Sequence, residues 1–150
     1  MPAPEDEAPD FYTVGYSGRD IDSFVAALKE ADVACLVDIR FNAVSMYKPA
    51  FSRRNLERAL CEAGIAYEHM PDLGVPSDIR KLAAAAGRRD DIWDWYAQHV
   101  LPRYEHNLDW FFNSTNHPLA LMCTERERED CHRHRLAEAL ERQGLTSADL

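Results

Sequence analysis

The chain has 150 residues, of which 46% are hydrophobic and 29% charged, and its formal net charge at pH 7 is −9. This length suits one ordinary domain, since a chain of this size buries about two thirds of the surface that it exposes when unfolded. No apolar run approaches the roughly 20 residues that a membrane span needs. The negative charge argues against broad electrostatic binding to nucleic acid or to anionic membranes, although it leaves a local basic site open.

The first ten residues, MPAPEDEAPD, are acidic and rich in proline, with neither the basic start nor the apolar stretch of a secretory signal. We therefore expect a disordered acidic lead over residues 1–10, one α/β domain over 11–144 and a short frayed tail over 145–150. The cysteines, at four scattered positions, show no repeated framework, and we expect a protein in a reducing compartment to keep them as thiols. The sequence thus predicts a cytoplasmic protein, and it does not indicate an oligomeric state.

The first half of the chain alternates between strand and helix patterns. Residues 11–15 (FYTVG) are β-branched and aromatic, and a helix follows that Ser17 or Asp20 can cap. Residues 33–39 (VACLVDI) are nearly all apolar, as in a parallel strand that is covered on both faces. A loop over 41–51 leads to a helix that Ser52 caps and that ends before Gly64.

The second half continues the alternation. A third strand is expected over 65–70. Three short helices should follow it, one from Ser77, one over 92–100 and one from Pro102. The chain then forms a strand over 119–122 and a final helix that contains Leu136 and Leu140. The order β-α-β-loop-α-β-α-α-α-β-α predicts an α/β fold with a small parallel sheet of about four strands. Helices cover both faces of this sheet, as in a Rossmann-like or flavodoxin-like three-layer sandwich.

Reactive side chains concentrate where the predicted strands end. Asp38 and Arg40 close the second strand and, because side chains alternate along a strand, point to one side of the sheet. They either line a ligand site or form an ion pair that orders the following loop. A denser group follows the last strand, between strand and helix, where open α/β sheets bind their ligands. It comprises Cys123, Glu125, Cys131, His132 and Arg133.

Our first hypothesis is an enzyme that uses a thiolate on an anionic substrate. Cys123 faces a helix N-terminus and nearby arginines, which lower the pKa of a thiol. Cys123 would attack an electrophile, while His132, Glu125 or Asp38 moves a proton. Arg40 and Arg133, together with Tyr16 and Ser17 after the first strand, would bind a phosphate or carboxylate.

Two further hypotheses remain open. Cys123, Cys131 and His132 could hold zinc or iron, since thiolate and imidazole ligands suit these metals, although the C-x7-C-H-x-H spacing is not that of a zinc finger. Alternatively, the protein is a non-enzymatic ligand-binding module or a thiol redox sensor in which Cys123 and Cys131 form a reversible disulfide. For any single residue in the group, ordinary burial or capping is a competing explanation.

Three stretches of the chain, YTVGYSGRDIDSFVAALKEADVACLVDIRFNAVS, KPAFSRRNLERALCEAGIAYEHMPDLG and ALMCTEREREDCHRHRLAEAL, resemble the domain-of-unknown-function family 488. The resemblance runs from about Phe11 to Gly144 and implies an α/β fold with a site, without supplying a reaction. One departure is VSMYKPAF, where Met46 follows Ser45 and many relatives have an arginine. The positions that match the family pattern are Tyr12, Gly15, Ser17, Asp38, Arg40, Pro49, Phe51, Leu73, Gly74, Cys123, Glu125, Cys131, His132 and Arg133.

Overall fold

The structure is a computed structural model that describes residues 9–44, 48–88, 90–104, 118–123, 133–142 and 144–150. Its strands are β1 (Phe11–Gly15), β2 (Cys35–Asp38), β3 (Ala66–His69), β4 (Leu119–Cys123) and β5 (Ser147–Asp149). Its helices are α1 (Ile21–Glu30), α2 (Arg53–Glu62), α3 (Ser77–Ala85), α4 (Asp90–His99), α5 (Leu101–Tyr104) and α6 (Arg133–Arg142). Short 3₁₀ turns at Pro49–Phe51 and Pro71–Leu73 precede α2 and α3.

The described strands form one parallel sheet in the order β3-β2-β4-β1-β5. β4 is central and is buried along its whole length, as is its neighbour β2. Their nearly continuous apolar sequences follow from this position, because a central parallel strand is covered by helices on both faces. The predicted α/β architecture is confirmed, with five described strands instead of about four.

Two apolar layers flank the sheet. α1 and α2 cover one face with Phe24, Leu28, Leu56 and Leu60, and we call this the α1–α2 face. α4, α5 and α6 cover the opposite face, the α4–α6 face, with side chains that include Tyr96 and Leu136. Successive residues of β4 alternate between the two layers, as the pleat of a strand requires.

Local signals explain where the helices begin and end. The carboxylate of Asp20 accepts a hydrogen bond of 2.7 Å from the backbone N–H of Ser23, so Asp20, of the two predicted candidates, caps α1. This backbone hydrogen bond is the main reason that the pKa of Asp20 is lowered. At the end of α2, Gly64 adopts a φ of +77°, a left-handed conformation that favours glycine.

The C-terminal residues differ from the prediction. Instead of a frayed tail, residues 147–149 form β5, which pairs with β1 in parallel. Backbone hydrogen bonds from Phe11 to Thr146 and from Leu150 to Thr13 extend the pairing on both sides. Ser147 and Asp149 are poor strand formers, so this short edge strand owes its conformation to its partner and left no signal in the sequence.

Some predicted segments fall outside the described residues, among them most of the acidic lead and the continuation of the α5 segment beyond Tyr104. Across the described ranges, every helix is too short or too polar to cross a membrane.

Candidate functional site

The carboxyl ends of three neighbouring strands, β2, β4 and β1, lie side by side, and we call the line along which they end the C-terminal edge of the sheet. Gly15, the last residue of β1, pairs with Cys123, the last residue of β4, while Asp38 of β2 pairs with Met122. The chain leaves β1 and β2 toward helices on the α1–α2 face, and it leaves β4 toward α6 on the opposite face. Ligands of open α/β sheets bind at such points of divergence, so this topology makes the end of β4 a candidate ligand site.

Asp38 and Arg40 form a buried ion pair at this edge. Arg40 Nε donates to Asp38 Oδ1 at 2.8 Å, and Arg40 Nη2 donates to Oδ2 at 2.6 Å. The backbone N–H of Arg40 also donates to Oδ1, at 3.1 Å. The side chains of Arg40 and Asp38 are only 5% and 0% exposed, so the pair lies out of bulk water. Two parallel hydrogen bonds of this kind fix the plane of the guanidinium group.

The edge strand β3 adds two contacts to this pair. The hydroxyl of Tyr67 donates to Asp38 Oδ2 at 2.6 Å. Nε2 of His69 lies 2.7 Å from the carbonyl oxygen of Arg40, and a hydrogen bond there requires the ring proton on Nε2. Burial and then the hydrogen bond and charge of Asp38 raise the pKa of Tyr67, so its hydroxyl stays a protonated donor. β3 therefore fixes both ends of the Asp38–Arg40 unit.

Tyr16 contacts the other side of Arg40. The guanidinium carbon lies 5.3 Å from the centroid of the Tyr16 ring, and Nη1 donates to the Tyr16 hydroxyl at 3.4 Å. The ring in turn stacks on Phe51, with centroids 4.5 Å apart. Burial opposes the charge on Arg40, but the hydrogen bonds and negative charge of Asp38 outweigh burial and raise the pKa of Arg40. The guanidinium is thus a permanent, oriented cation.

The hydrogen bonds show what each charged group can still do. The carboxylate of Asp38 already accepts four hydrogen bonds, three from Arg40 and one from Tyr67. Such a carboxylate is suited to holding Arg40 in place, and its predicted role in proton transfer stays a prediction. Arg40 uses three of the five N–H donors that a guanidinium has, leaving two without a partner among the described residues.

The structure brings some of the predicted site residues together and separates others. Tyr16, Asp38 and Arg40 form one cluster on the α1–α2 face. Ser17 follows Tyr16 in an exposed turn. Cys123 packs in the opposite, α4–α6 layer, because it is one residue out of phase with Met122, the register partner of Asp38. The sheet therefore separates the side chain of Cys123 from the Asp38–Arg40 pair.

The state of Cys123 is informative. It is disulfide-bonded, so the expectation that the cysteines are thiols is wrong for Cys123, whereas Cys35 and Cys61 are free thiols as expected. A disulfide sulfur is neither a nucleophilic thiolate nor a metal ligand, so reduction must precede either predicted role. Glu125, Cys131 and His132 lie outside the described residues, as does the side chain of Arg133, whose backbone begins α6. No group of three metal-ligating side chains occurs within the described ranges, which contain only one of the three predicted ligands.

Tyr67 and Phe51 contact the Asp38–Arg40 site, directly and through Tyr16, but the chemistry of their side chains did not predict them as site residues. A signal for Tyr67 exists in the stretch IAYEHM, where alternation places Tyr67 and His69 on one face of a strand. The signal becomes useful only once β3 is known to neighbour β2. Phe51 is one of the positions that carry the resemblance noted in the sequence, and its stacking on Tyr16 gives a physical reason for an aromatic residue there.

Gly74 also gains a structural explanation. A Cβ atom at this position would lie 2.3 Å from the backbone nitrogen of Phe41 and 2.8 Å from the carbonyl oxygen of Ile39. The segment after β3 therefore packs its backbone directly against the segment that carries Arg40. Only glycine permits this approach without displacing one of the two segments.

One charged side chain in the helix after β4 is incompletely satisfied. Nε of Arg135 is the single buried side-chain nitrogen or oxygen atom, within the described part of the chain, that has no hydrogen-bond partner. Arg135 lies in the first turn of α6. An unpaired buried donor of this kind destabilises the fold.

Comparisons with known proteins agree with the resemblance noted in the sequence. No curated protein and no solved structure matches the chain. The family model described as "Domain of unknown function DUF488" matches residues 20–140, which include α1, β2 and β4 and the polar pair at the end of β2. The chain therefore belongs to the family with the domain of unknown function DUF488.

Proposed function

We propose that the protein is an enzyme that binds a small anionic substrate through Arg40, at the edge where β1, β2 and β4 end. The observation that carries the proposal is the state of Arg40. Its guanidinium is almost fully buried, clamped by Asp38 and supported by Tyr16, yet two of its N–H donors have no partner among the described residues. A fixed guanidinium with free donors is suited to binding an anion, because little side-chain entropy is lost on binding.

The chemistry would come from the residues that follow β4. With its disulfide reduced, Cys123 supplies a thiol at the end of β4, on the opposite face of the sheet from Arg40. A substrate bound at Arg40 would therefore have to extend over the end of β4 to reach Cys123. In this proposal Cys123 is the nucleophile and Glu125 or His132 transfers the proton. Arg133 and Ser17 contact parts of the substrate other than the anionic group at Arg40. A zinc or iron ion held by Cys123, Cys131 and His132 is the alternative means of activation, and metal analysis of reduced wild type beside Cys131→Ser distinguishes the two.

Anion binding tests the role of Arg40. The Arg40 Nε–H resonance, followed by ¹⁵N NMR during titration with acetate and with phosphate, should shift in the wild type and in Arg58→Gln. Arg58 is a matched control because it is an exposed arginine on α2. The neutral pair Asp38→Asn/Arg40→Gln, followed by the resonances of neighbouring backbone amides, should lose the response.

A response that persists in the neutral pair would contradict the proposal. If the neutral pair fails to fold, Arg40→Lys serves instead, since it keeps the charge beside Asp38 but loses the planar fork. Circular dichroism establishes that each variant is folded before its binding is compared with that of the wild type.

A second candidate function is favoured by the disulfide of Cys123. We place the protein in the cytoplasm because of its scattered cysteines, and disulfides in a reducing compartment are usually transient and either catalytic or redox-sensing. In that case the protein is a thiol redox module, and the bond opens when a dithiol reductant supplies two electrons and two protons.

Thiol labelling tests this second function. The protein is equilibrated in glutathione buffers of graded redox potential, alkylated and analysed by mass spectrometry. A sensor predicts that the labelling of Cys123 changes steeply within the physiological range of potentials, while that of Cys61 stays constant. Equal labelling of Cys123 in all buffers would contradict a sensing role.

A further inference from the structure

The polar cluster around Arg40 has little net charge. Asp38 contributes one negative charge and Arg40 one positive charge, and their side chains are joined by two hydrogen bonds. Tyr67 is neutral, since its hydroxyl is the donor to Asp38 and its pKa is raised, first by burial and then by Asp38. Tyr16 adds a neutral hydroxyl that accepts from Arg40. Among the described residues in direct contact, the fixed positive charge of Arg40 is therefore already balanced.

Two other cations lie near this cluster, and both have partners of their own. Nζ of Lys48 donates to the backbone carbonyl of Arg19 at 2.5 Å and lies 5.8 Å from the centroid of the Phe51 ring. Arg19 donates to the carbonyl of Leu150 at 2.7 Å. The pKa of Asp20 is lowered mainly by hydrogen bonds from Ser23 and, to a smaller extent, by the positive charge of Lys48. The carboxylate of Asp20 therefore offsets part of the charge of Lys48. Among the described contacts, neither cation is bonded to Arg40 or Asp38.

We infer that the anionic group bound at Arg40 carries one negative charge, as a carboxylate does, and not the two charges of a phosphate monoester. This inference rests on the proposed function of Arg40. A bound monoanion leaves the balanced cluster with one excess negative charge, whereas a dianion leaves two. The desolvation penalty of a buried ion grows steeply with its charge, and the carboxylate of Asp38 repels both charges of a dianion.

The shape of the donor group agrees with this assignment. Asp38 occupies the edge of the guanidinium formed by Nε and Nη2, so the free donors are N–H groups of Nη1 and Nη2. All N–H groups of a guanidinium lie in one plane, and the oxygens of a planar carboxylate can accept hydrogen bonds within that plane. The site therefore suits a carboxylate in both charge and geometry.

The test compares anions whose charges do not change near neutral pH. Methanesulfonate and sulfate share a tetrahedral sulfur centre but carry one and two negative charges, and acetate is a monoanion with a planar carboxylate. NMR titration of the Arg40 Nε–H at constant ionic strength should give tighter binding of both monoanions than of sulfate, by roughly tenfold or more, because like charges repel strongly at a buried site. Sulfate binding as tight as that of methanesulfonate, or tighter, would overturn the inference.

Asp38→Asn provides a second and independent test. Asparagine has nearly the same shape and can accept the Tyr67 hydrogen bond, but the variant leaves the charge of Arg40 unbalanced. The affinity for sulfate relative to methanesulfonate should then rise, by roughly tenfold, since the repulsion from Asp38 is gone. An unchanged ratio in a folded variant would contradict the inference.

The result also separates this inference from the function on which it rests. If no anion perturbs Arg40 in the wild type, the proposed function fails and the question of charge does not arise. If anions bind in an Arg40-dependent way but sulfate is preferred, the function stands and only the assignment of a singly charged substrate is wrong.

Discussion

Asp38 binds Arg40, two residues further along the chain, through both of its carboxylate oxygens, at 2.8 and 2.6 Å. Because the intervening residue Ile39 is buried on the other side, the two charged side chains leave the sheet together. Each charge is stabilised mainly by the other. Removing one partner alone should therefore be far more damaging than removing both.

Arg40→Gln should lower the free energy of unfolding by about 3–5 kcal/mol, because it leaves the Asp38 carboxylate buried without its counter-ion. Asp38→Asn/Arg40→Gln should stay within about 2 kcal/mol of the wild type, since no unpaired charge remains. Urea denaturation of the wild type and both variants measures this difference. A double variant less stable than the single one would show that the pair itself, and not the isolated charge, determines stability.

Tyr67→Phe should cost about 1.5–3 kcal/mol, the usual contribution of a hydrogen bond to a charged group. It removes a single hydroxyl that donates to Asp38. Tyr12→Phe is a suitable control, since Tyr12 is also partly buried and its hydroxyl has no hydrogen bond in the described part of the structure. Thermal denaturation should distinguish the two variants, and equal losses would contradict the importance of the Tyr67–Asp38 bond.

Gly74→Ala should destabilise the protein by about 3 kcal/mol, near the upper end of the range for overpacking, because the new methyl group would collide with the backbone of Phe41. Gly87→Ala is the matched control. Gly87 has open space around it but a φ of +65°, so alanine there should cost only about 1–2 kcal/mol of backbone strain. Chemical denaturation gives both values, and an equal cost at the two glycines would argue against the close contact.

Arg135→Met should leave stability unchanged or raise it by up to about 1 kcal/mol. The substitution keeps an unbranched side chain in α6 and removes a buried Nε donor that has no partner among the described residues. Arg58→Met is the control, since Arg58 is an exposed arginine on α2 and its replacement should change stability by less than about 0.5 kcal/mol. Thermal unfolding compares both variants with the wild type, and a loss above about 1 kcal/mol in Arg135→Met would show that Arg135 has a stabilising partner.

The buried thiol of Cys35 makes the free energy of unfolding depend on pH in the alkaline range. Burial, and then the negative charge of Glu68, raise the pKa of the Cys35 thiol from 9.0 to about 11. The unfolded chain therefore loses this proton at a lower pH than the folded chain. The contribution of the Cys35 thiol to the free energy of unfolding is therefore fully present below pH 9.0 and is lost as the pH rises to about 11.

Urea denaturation at several pH values should show this loss in the wild type and a smaller loss in Cys35→Ala. Tyr67, whose pKa is also raised, contributes equally to both proteins, so the difference between the two curves isolates Cys35. Identical pH dependence in the two proteins would mean that the thiol does not titrate as expected.

Much of the fold was predictable because its signals are local. The apolar run VACLVDI identifies a covered parallel strand, and its alternation already places Asp38 and Arg40 on one side. What could not be predicted depends on strand order and register. Tyr67 reaches Asp38 only because β3 neighbours β2, and Cys123 faces away from Asp38 only because Met122 is the residue in register with it.

The residues after β4 to which we assign the proposed chemistry were the least predictable part of the candidate site. The group after β4 was recognised from residue types alone, and residue types do not reveal an oxidation state. The disulfide of Cys123 was one of three open hypotheses, and it changes what must happen before that residue can react.

The position of β4 has a consequence for how the chain reaches its native state. β1 and β2 do not pair with each other, and both pair with β4. Roughly 80 residues separate β2 from β4 along the chain, so these contacts form between distant segments. During synthesis β1 therefore has no sheet neighbour until residues 119–123 have left the ribosome. Its apolar side chains, Phe11 and Val14, must meanwhile stay out of incorrect pairings, and the late insertion of a single strand joins the two halves of the sheet.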